Sequence, residues 1–199
     1  MSRSDNSVKN DTITVEVSAR HVHLCHNDVE ALFGAGAKLT HSRDLSQPGE
    51  FLANEKVDIV GPKSTIKGVA VLGPERVASQ VEISMTDTFS IGISAPIRES
   101  GHIEGSPGIK LVGHSGSVEL SEGLIVAKRH IHMTPEQAEQ FDVQDKQIVS
   151  VAIDTDRPLT FGGVVVRVKP SFALAMHVDT DEANACCIPR TGIKGRIVK

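Results

Sequence analysis

Apolar residues recur along this chain mostly in short β-branched runs rather than at helical spacing. Thr12 to Val17, Lys56 to Val60, Gly68 to Leu72, Val81 to Met85, Ile148 to Ile153 and Gly163 to Val168 each read as a strand, with Gly and Pro punctuating the intervals. Two helices interrupt them. The run from Cys25 ends at Gly34, a C-terminal stop, and the run Thr134 to Phe141 opens with Thr134 as N-cap, Pro135 at the first helical position and Gln137 completing a capping box. From Ser90 to Leu120 six glycines break the pattern, which reads as connecting and ligand-binding loops. Residues 1 to 11 are polar and aperiodic, and a disordered tail is expected there.

The strand runs repeat. Val17-Ser18-Ala19-Arg20-His21-Val22-His23-Leu24 is matched by Val126-Ala127-Lys128-Arg129-His130-Ile131-His132-Met133, and each is followed by one of the two helices. Farther on, Gly68 to Glu82 spans the same fourteen positions as Gly163 to His177, so Glu82 and His177 fall at equivalent places. A repeat of this length occurring twice predicts a mainly β fold. The expectation is two similar small β-barrel domains, each with a short helix, related by a pseudo-twofold axis. The first unit is expected over residues 12–89, the connecting loops over 90–120 and the second unit over 121–199.

Composition narrows the function. With 39% hydrophobic residues, no Trp or Tyr, a net charge of -4 and scattered Lys and Arg, the chain offers neither stacking platforms nor a basic patch for nucleic acid. No apolar run approaches the roughly 18 residues a membrane helix needs, and the N-terminus lacks a secretory core, so an intracellular protein is expected. Cys25, Cys186 and Cys187 are expected to be free thiols, the adjacent pair as small core residues and Cys25 at the helix-cap position that Thr134 holds in the other copy.

In a strand, side chains at i and i+2 share a face with origins about 6.6–7 Å apart, so a His-x-His pair can lean toward one cation. A lone histidine is more often structural, but the duplication shifts the balance toward a site. His21, His23, Glu82, His130, His132 and His177 are the candidate metal ligands. Neutral imidazoles suit zinc, and six ligands are too many for one open tetrahedral site but suit two ions. Alternation also allows Glu82 to be a solvated strand residue; its equivalence to His177 favours a ligand. Arg20 and Arg129 point to the opposite strand face and are expected in structural ion pairs. Arg76, in a turn before Glu82, is the arginine expected to grip an anion. His26, His41, His102 and His114 have no such pairing and are expected on the surface or in loops.

Ser18-Ala19-Arg20-His21-Val22-His23-Leu24, Gly73-Pro74-Glu75-Arg76 with Gln80-Val81-Glu82, Ala95-Pro96-Ile97-Arg98 with Ser106-Pro107-Gly108, and Lys128-Arg129-His130-Ile131-His132-Met133 together resemble the PduL-type phosphotransacylases, the phosphate propanoyltransferases. The resemblance runs from about residue 12 to the C-terminus. It implies two β-barrel domains, two zinc ions, and reversible transfer of a propanoyl or acetyl group between coenzyme A and inorganic phosphate to give an acyl phosphate. By position it assigns the six ligands above to zinc and Arg76 to phosphate, with the glycine-rich stretch after Phe89 helping to hold coenzyme A. Acyl-CoA and phosphate are then the partners, without nucleic acid or membrane, and homo-oligomer formation stays open. Microcompartment members often carry an amphipathic N-terminal extension. Residues 1–11 do not read as one, so the cytoplasm is expected, with a bacterial microcompartment as the other location. The rival activity for the same ligand set is a two-metal hydrolase of a phosphate ester or thioester.

Overall fold

The computed structural model describes residues 12–198; the expected disordered tail lies outside the described residues. In chain order the elements are β1 (Thr12–Val17), β2 (His21–His23), α1 (His26–Phe33), β3 (His41–Asp44), β4 (Phe51–Val60), β5 (Thr65–Gly73), β6 (Gln80–Ile83), α2 (Met85–Ile91) and β7 (Ile97–Arg98). There follow β8 (Ile109–Val112), β9 (Ser117–Leu120), β10 (Leu124–Ala127), β11 (His130–Met133), α3 (Pro135–Phe141), β12 (Ile148–Ile153), β13 (Leu159–Val168), β14 (Ala175–Val178), α4 (Thr180–Ala185) and β15 (Ile193–Val198). The fold is mainly β, as expected. Strands β1-β14-β11-β13-β12-β15 close a six-stranded barrel, and the other nine form one curled sheet containing the path β10-β6-β2-β5-β4-β8.

Each of the six barrel strands has a counterpart in the sheet, which adds β3, β7 and β9. In the sheet, β2 lies antiparallel to β6 with His21 opposite Glu82 and parallel to β5 with His21 opposite Ala70. In the barrel, β11 lies antiparallel to β14 with His130 opposite His177 and parallel to β13 with His130 opposite Val165. Even the repeat's glycines correspond: Gly68 and Gly163 adopt φ of 65° and 67°, a left-handed conformation that favours glycine. The outcomes differ at one edge. β15 pairs with both β12 and β1 and closes the barrel, whereas its counterpart β8 pairs with β4 and then turns into β9, leaving the sheet open.

Each strand that precedes a His-x-His belongs to the other sheet. β1 runs beside β14 in the barrel before Ser18-Ala19-Arg20 carries the chain into β2 of the sheet, and β10 runs beside β6 in the sheet before Lys128-Arg129 carries it into β11 of the barrel. Both metal-type motifs therefore sit at a crossing between the sheets. Strand alternation then sorts the side chains. Val22 and Leu24, Val81 and Ile83 enter the core of the sheet, while Ile131 and Met133, Met176 and Val178 enter the core of the barrel. The histidines and Glu82 are left for the opposite face.

Three parts of the sequence reading are corrected. The run Val81 to Met85 ends as a strand at Ile83, because Ser84 starts α2: its hydroxyl accepts the Asp87 N–H and the Asp87 carboxylate accepts the Ser84 N–H. Asp179 and Glu182 open α4 in the same way. The stretch expected as loops after Ser90 contains the β8–β9 hairpin, with Ile109 and Leu111 buried in the sheet core. Two of its glycines serve close packing there, since a Cβ on Gly113 or Gly116 would stand 2.3 or 2.4 Å from the Leu32 or Ala31 carbonyl oxygen of α1. All three cysteines are free; Cys186 is a core residue as expected, but Cys187 is exposed at φ 55°.

Candidate active site

His21, His23 and Glu82 converge so that one potential ligand atom from each lies within 4.8 Å of the others, and His130, His132 and His177 do the same. Both triads line one cavity of about 750 Å³ together with Arg76. All seven residues singled out in the sequence thus meet in one place. His26, His41, His102 and His114 are exposed, as expected.

Ring orientation is set by the crossings. The Nδ1 of His21 lies 2.9 Å from the Ala19 carbonyl and the Nδ1 of His130 lies 2.8 Å from the Lys128 carbonyl, each two residues back. An N–H donated there leaves Nε2 with its lone pair free for a cation. Nε2 of His21 is 3.5 Å from Glu82 Oε2, and Nε2 of His23 is 3.9 Å from Oε1. The second histidine of each motif carries a different signal: Nδ1 of His23 and Nδ1 of His132 are buried and have no hydrogen-bond partner. In His23 it is Nε2 that faces Glu82, and the two donor sets, two histidines with a carboxylate and three histidines, fit a pair of bound cations.

The electrostatics agree with ligand service. Burial, with His21 and Arg76 adding, pushes His23 down to about 3. Burial and then His177 take His130 to about 4, and burial followed by His130 and His177 takes His132 to about 2. These imidazoles are neutral at physiological pH, the state a metal requires. Burial would also lower His21, but the Glu82 carboxylate outweighs it and the net shift is upward. Glu82 is held well below the usual carboxylate range: burial pushes it up, and His21 and His23 more than reverse that.

Arg76 follows a turn whose backbone is tied to the first motif, its N–H donating to the Leu24 carbonyl at 2.8 Å. Its guanidinium donates to Ser100 Oγ at 3.0 Å and to Glu50 Oε1 at 3.4 Å. Gln80 braces the same corner, donating to Glu82 Oε1 at 2.5 Å and to Ser100 Oγ at 2.9 Å. Arg20 and Arg129 form the expected structural ion pairs, with Asp87 at 2.9 Å and Glu182 at 2.5 Å, which anchor each crossing to the capping box of α2 or α4.

Several cavity residues escaped the sequence reading. Arg43, Arg167, Lys169 and Arg190 add positive charge to its wall, and Phe172 packs against His132 at a tilt of 40° with ring centroids 4.2 Å apart. For Arg167 a signal existed. It lies two residues beyond Val165, the partner of His130, so strand alternation puts it on the site face. Glu16 was also missed: its Oε2 lies 3.3 Å from Nε2 of His177, and that hydrogen bond holds its carboxyl below the usual range.

The sequence profile of the phosphate propanoyltransferase family matches residues 14–189. Among curated relatives, the phosphate propanoyltransferase of Listeria monocytogenes is 58% identical over 94% of this chain and 87% of its own length. That of Enterococcus faecalis is 55% identical over 94% and 89%, and that of Clostridioides difficile 54% identical over 94% and 89%.

Proposed function

Because this chain belongs to the phosphate propanoyltransferase family and is an acyltransferase, we propose that it moves a short acyl group reversibly between coenzyme A and inorganic phosphate at a two-zinc site. The observation that carries this reading is the convergence of both triads and Arg76 on one cavity. His21, His23 and Glu82 would hold one ion and His130, His132 and His177 the other. Bound zinc would supply Lewis-acid stabilisation of negative charge developing on the thioester carbonyl oxygen.

The side chains of the chain itself do the positioning. Arg76, held by Ser100 and Glu50, presents guanidinium N–H groups to phosphate oxygens. Arg167 and Lys169 extend the positive wall and draw the anion in. A phosphate oxygen fixed in this way attacks the thioester carbonyl carbon. The new C–O bond forms, the C–S bond breaks, and coenzyme A departs as thiolate, leaving acyl phosphate. No protein nucleophile is needed, because holding both reactants converts a two-body encounter into an oriented one.

The test is acyl-phosphate formation from propanoyl-CoA and phosphate, before and after chelation. Chelated protein should lose activity and regain it with zinc; full activity in metal-free protein excludes the metal part of the reading. Release of free acid without dependence on phosphate would instead identify a hydrolase.

A further inference from the structure

The His130, His132 and His177 triad contains no carboxylate, yet one stands beside it on the neighbouring strand. β1 and β14 run parallel with Glu16 opposite His177, so alternation puts both on the site face. Glu16 Oε2 lies 3.3 Å from His177 Nε2, and Glu16 lines the cavity. The cluster of ligand atoms within 4.8 Å of one another comprises the three histidines without Glu16, whose carboxylate touches His177 alone of the three.

The repeat shows what this position replaces. In the sheet, β10 holds the place of β1, and the residue opposite Glu82 there is Ile125, fully buried and apolar. The two halves thus each carry one carboxylate, but on adjacent strands: Glu82 inside its triad, Glu16 next to the other. His21 and His130 are oriented by carbonyls at the crossings, Ala19 and Lys128. His177 sits on β14, whose two sides pair with β1 and β11, so the backbone around it is engaged in ladders. A side chain must orient its ring instead.

We infer that Glu16 is a positioning residue for the second cation site: it accepts the Nε2–H of His177 and fixes the tautomer that offers Nδ1 to the ion. The inference rests on the two-metal reading for its consequence and on the hydrogen bond for its structure. A carboxylate behind a ligand histidine sets ring orientation and raises its basicity, and loss of such a partner typically weakens metal affinity 10–100-fold.

Zinc stoichiometry and competitive-chelator affinities of the full chain, for wild type, Glu16→Ala and Glu16→Gln, test the consequence. In Glu16→Ala one of two ions should bind about 10–100-fold more weakly while the other is unchanged. Glu16→Gln keeps a carbonyl oxygen that can accept the same N–H and should recover most of the loss. Histidine ¹⁵N spectra of wild type, recorded metal-free and zinc-loaded, should show His177 protonated at Nε2. Wild-type affinity for both ions in Glu16→Ala, or a His177 protonated at Nδ1, overturns the assignment. Wild type that binds no zinc sinks the two-metal reading instead, and the metal-free spectrum still decides the hydrogen bond.

Discussion

The two triads share one geometry and differ in where their carboxylate stands. In the sheet, His21, His23 and Glu82 contain their own counter-charge: the carboxylate raises His21 and is itself held far below its usual range. In the barrel, His130 and His132 face each other and His177 with ring centroids 4.6 to 5.4 Å apart, and burial keeps them neutral. A dication at the first triad would have the Glu82 carboxylate within the triad; one at the second would have the Glu16 carboxylate beside His177, with Arg167 and Lys169 on the same cavity wall. The same strand pattern thus carries its carboxylate inside one triad and beside the other, through two differences, Glu82 against His177 and Ile125 against Glu16.

The largest effect should come from removing either half. Glu82→Ala and His177→Ala should each cost at least about 10²–10³-fold in kcat/KM, the scale of losing a principal oxyanion-stabilising group. Steady-state kinetics with propanoyl-CoA checks this, and the two variants should diverge in one respect. His177→Ala should raise the KM for phosphate more than Glu82→Ala does, because it weakens cation binding and leaves Glu16 unpaired, whereas Glu82→Ala removes a negative charge from the cavity. Near-wild-type activity in either variant would show that its triad takes no part in the reaction.

A smaller effect separates the halves by pH in the metal-free protein. His130 and His132 have folded pKa values of about 4 and about 2, below the ~6.5 of an unfolded histidine. As pH falls below about 6.5 the unfolded chain therefore takes up protons first, and stability is lost, on the order of 2 kcal/mol per histidine by pH 5. In the sheet triad His23 behaves likewise, but His21 is shifted the other way and offsets it, while Glu82 keeps its contribution until far lower pH. Urea unfolding in chelator at pH 7.5 and pH 5 should show the decline. His132→Leu should flatten it by about the share of one histidine, whereas an unchanged slope would move the acid sensitivity elsewhere.

How much of this was legible depended on what repeated. The His-x-His motifs and the Gly68 to Glu82 spacing fixed six convergent side chains, because alternation and register follow directly from sequence. The crossing of β1 and β10 into the opposite sheets was not legible, since nothing local in Thr12 to Val17 says which sheet it joins. Glu16 was hidden for that reason: its relation to His177 exists only through a pairing 161 residues distant in sequence. The helices α2 and α4 were legible in principle from Ser84 with Asp87 and Asp179 with Glu182, but they are only seven and six residues long and follow directly on strand runs.

The smallest effect concerns the helices behind the two motifs. Thr134 caps α3 with its hydroxyl, which accepts the Gln137 N–H at 3.3 Å, and Gln137 returns a bond to the Thr134 N–H. Cys25 occupies the same place before α1, in the same extended conformation (φ -81°, ψ 164°), yet makes no side-chain cap. Ser79 substitutes in part: its hydroxyl accepts the Cys25 N–H at 2.9 Å and donates to the carboxylate of Asp28, the residue equivalent to Gln137. One orphan is satisfied in this way, but the Asp28 N–H gains nothing from Cys25. Cys25→Thr should restore that bond without disturbing Ser79, stabilising the protein by about 0.5–1 kcal/mol. For a chain of this size that is a rise in Tm of roughly 1–4 °C in a thermal melt. No gain would mean that the Ser79 bridge already does all that a capping hydroxyl can do, and that the first copy has moved its cap onto the loop that carries Arg76.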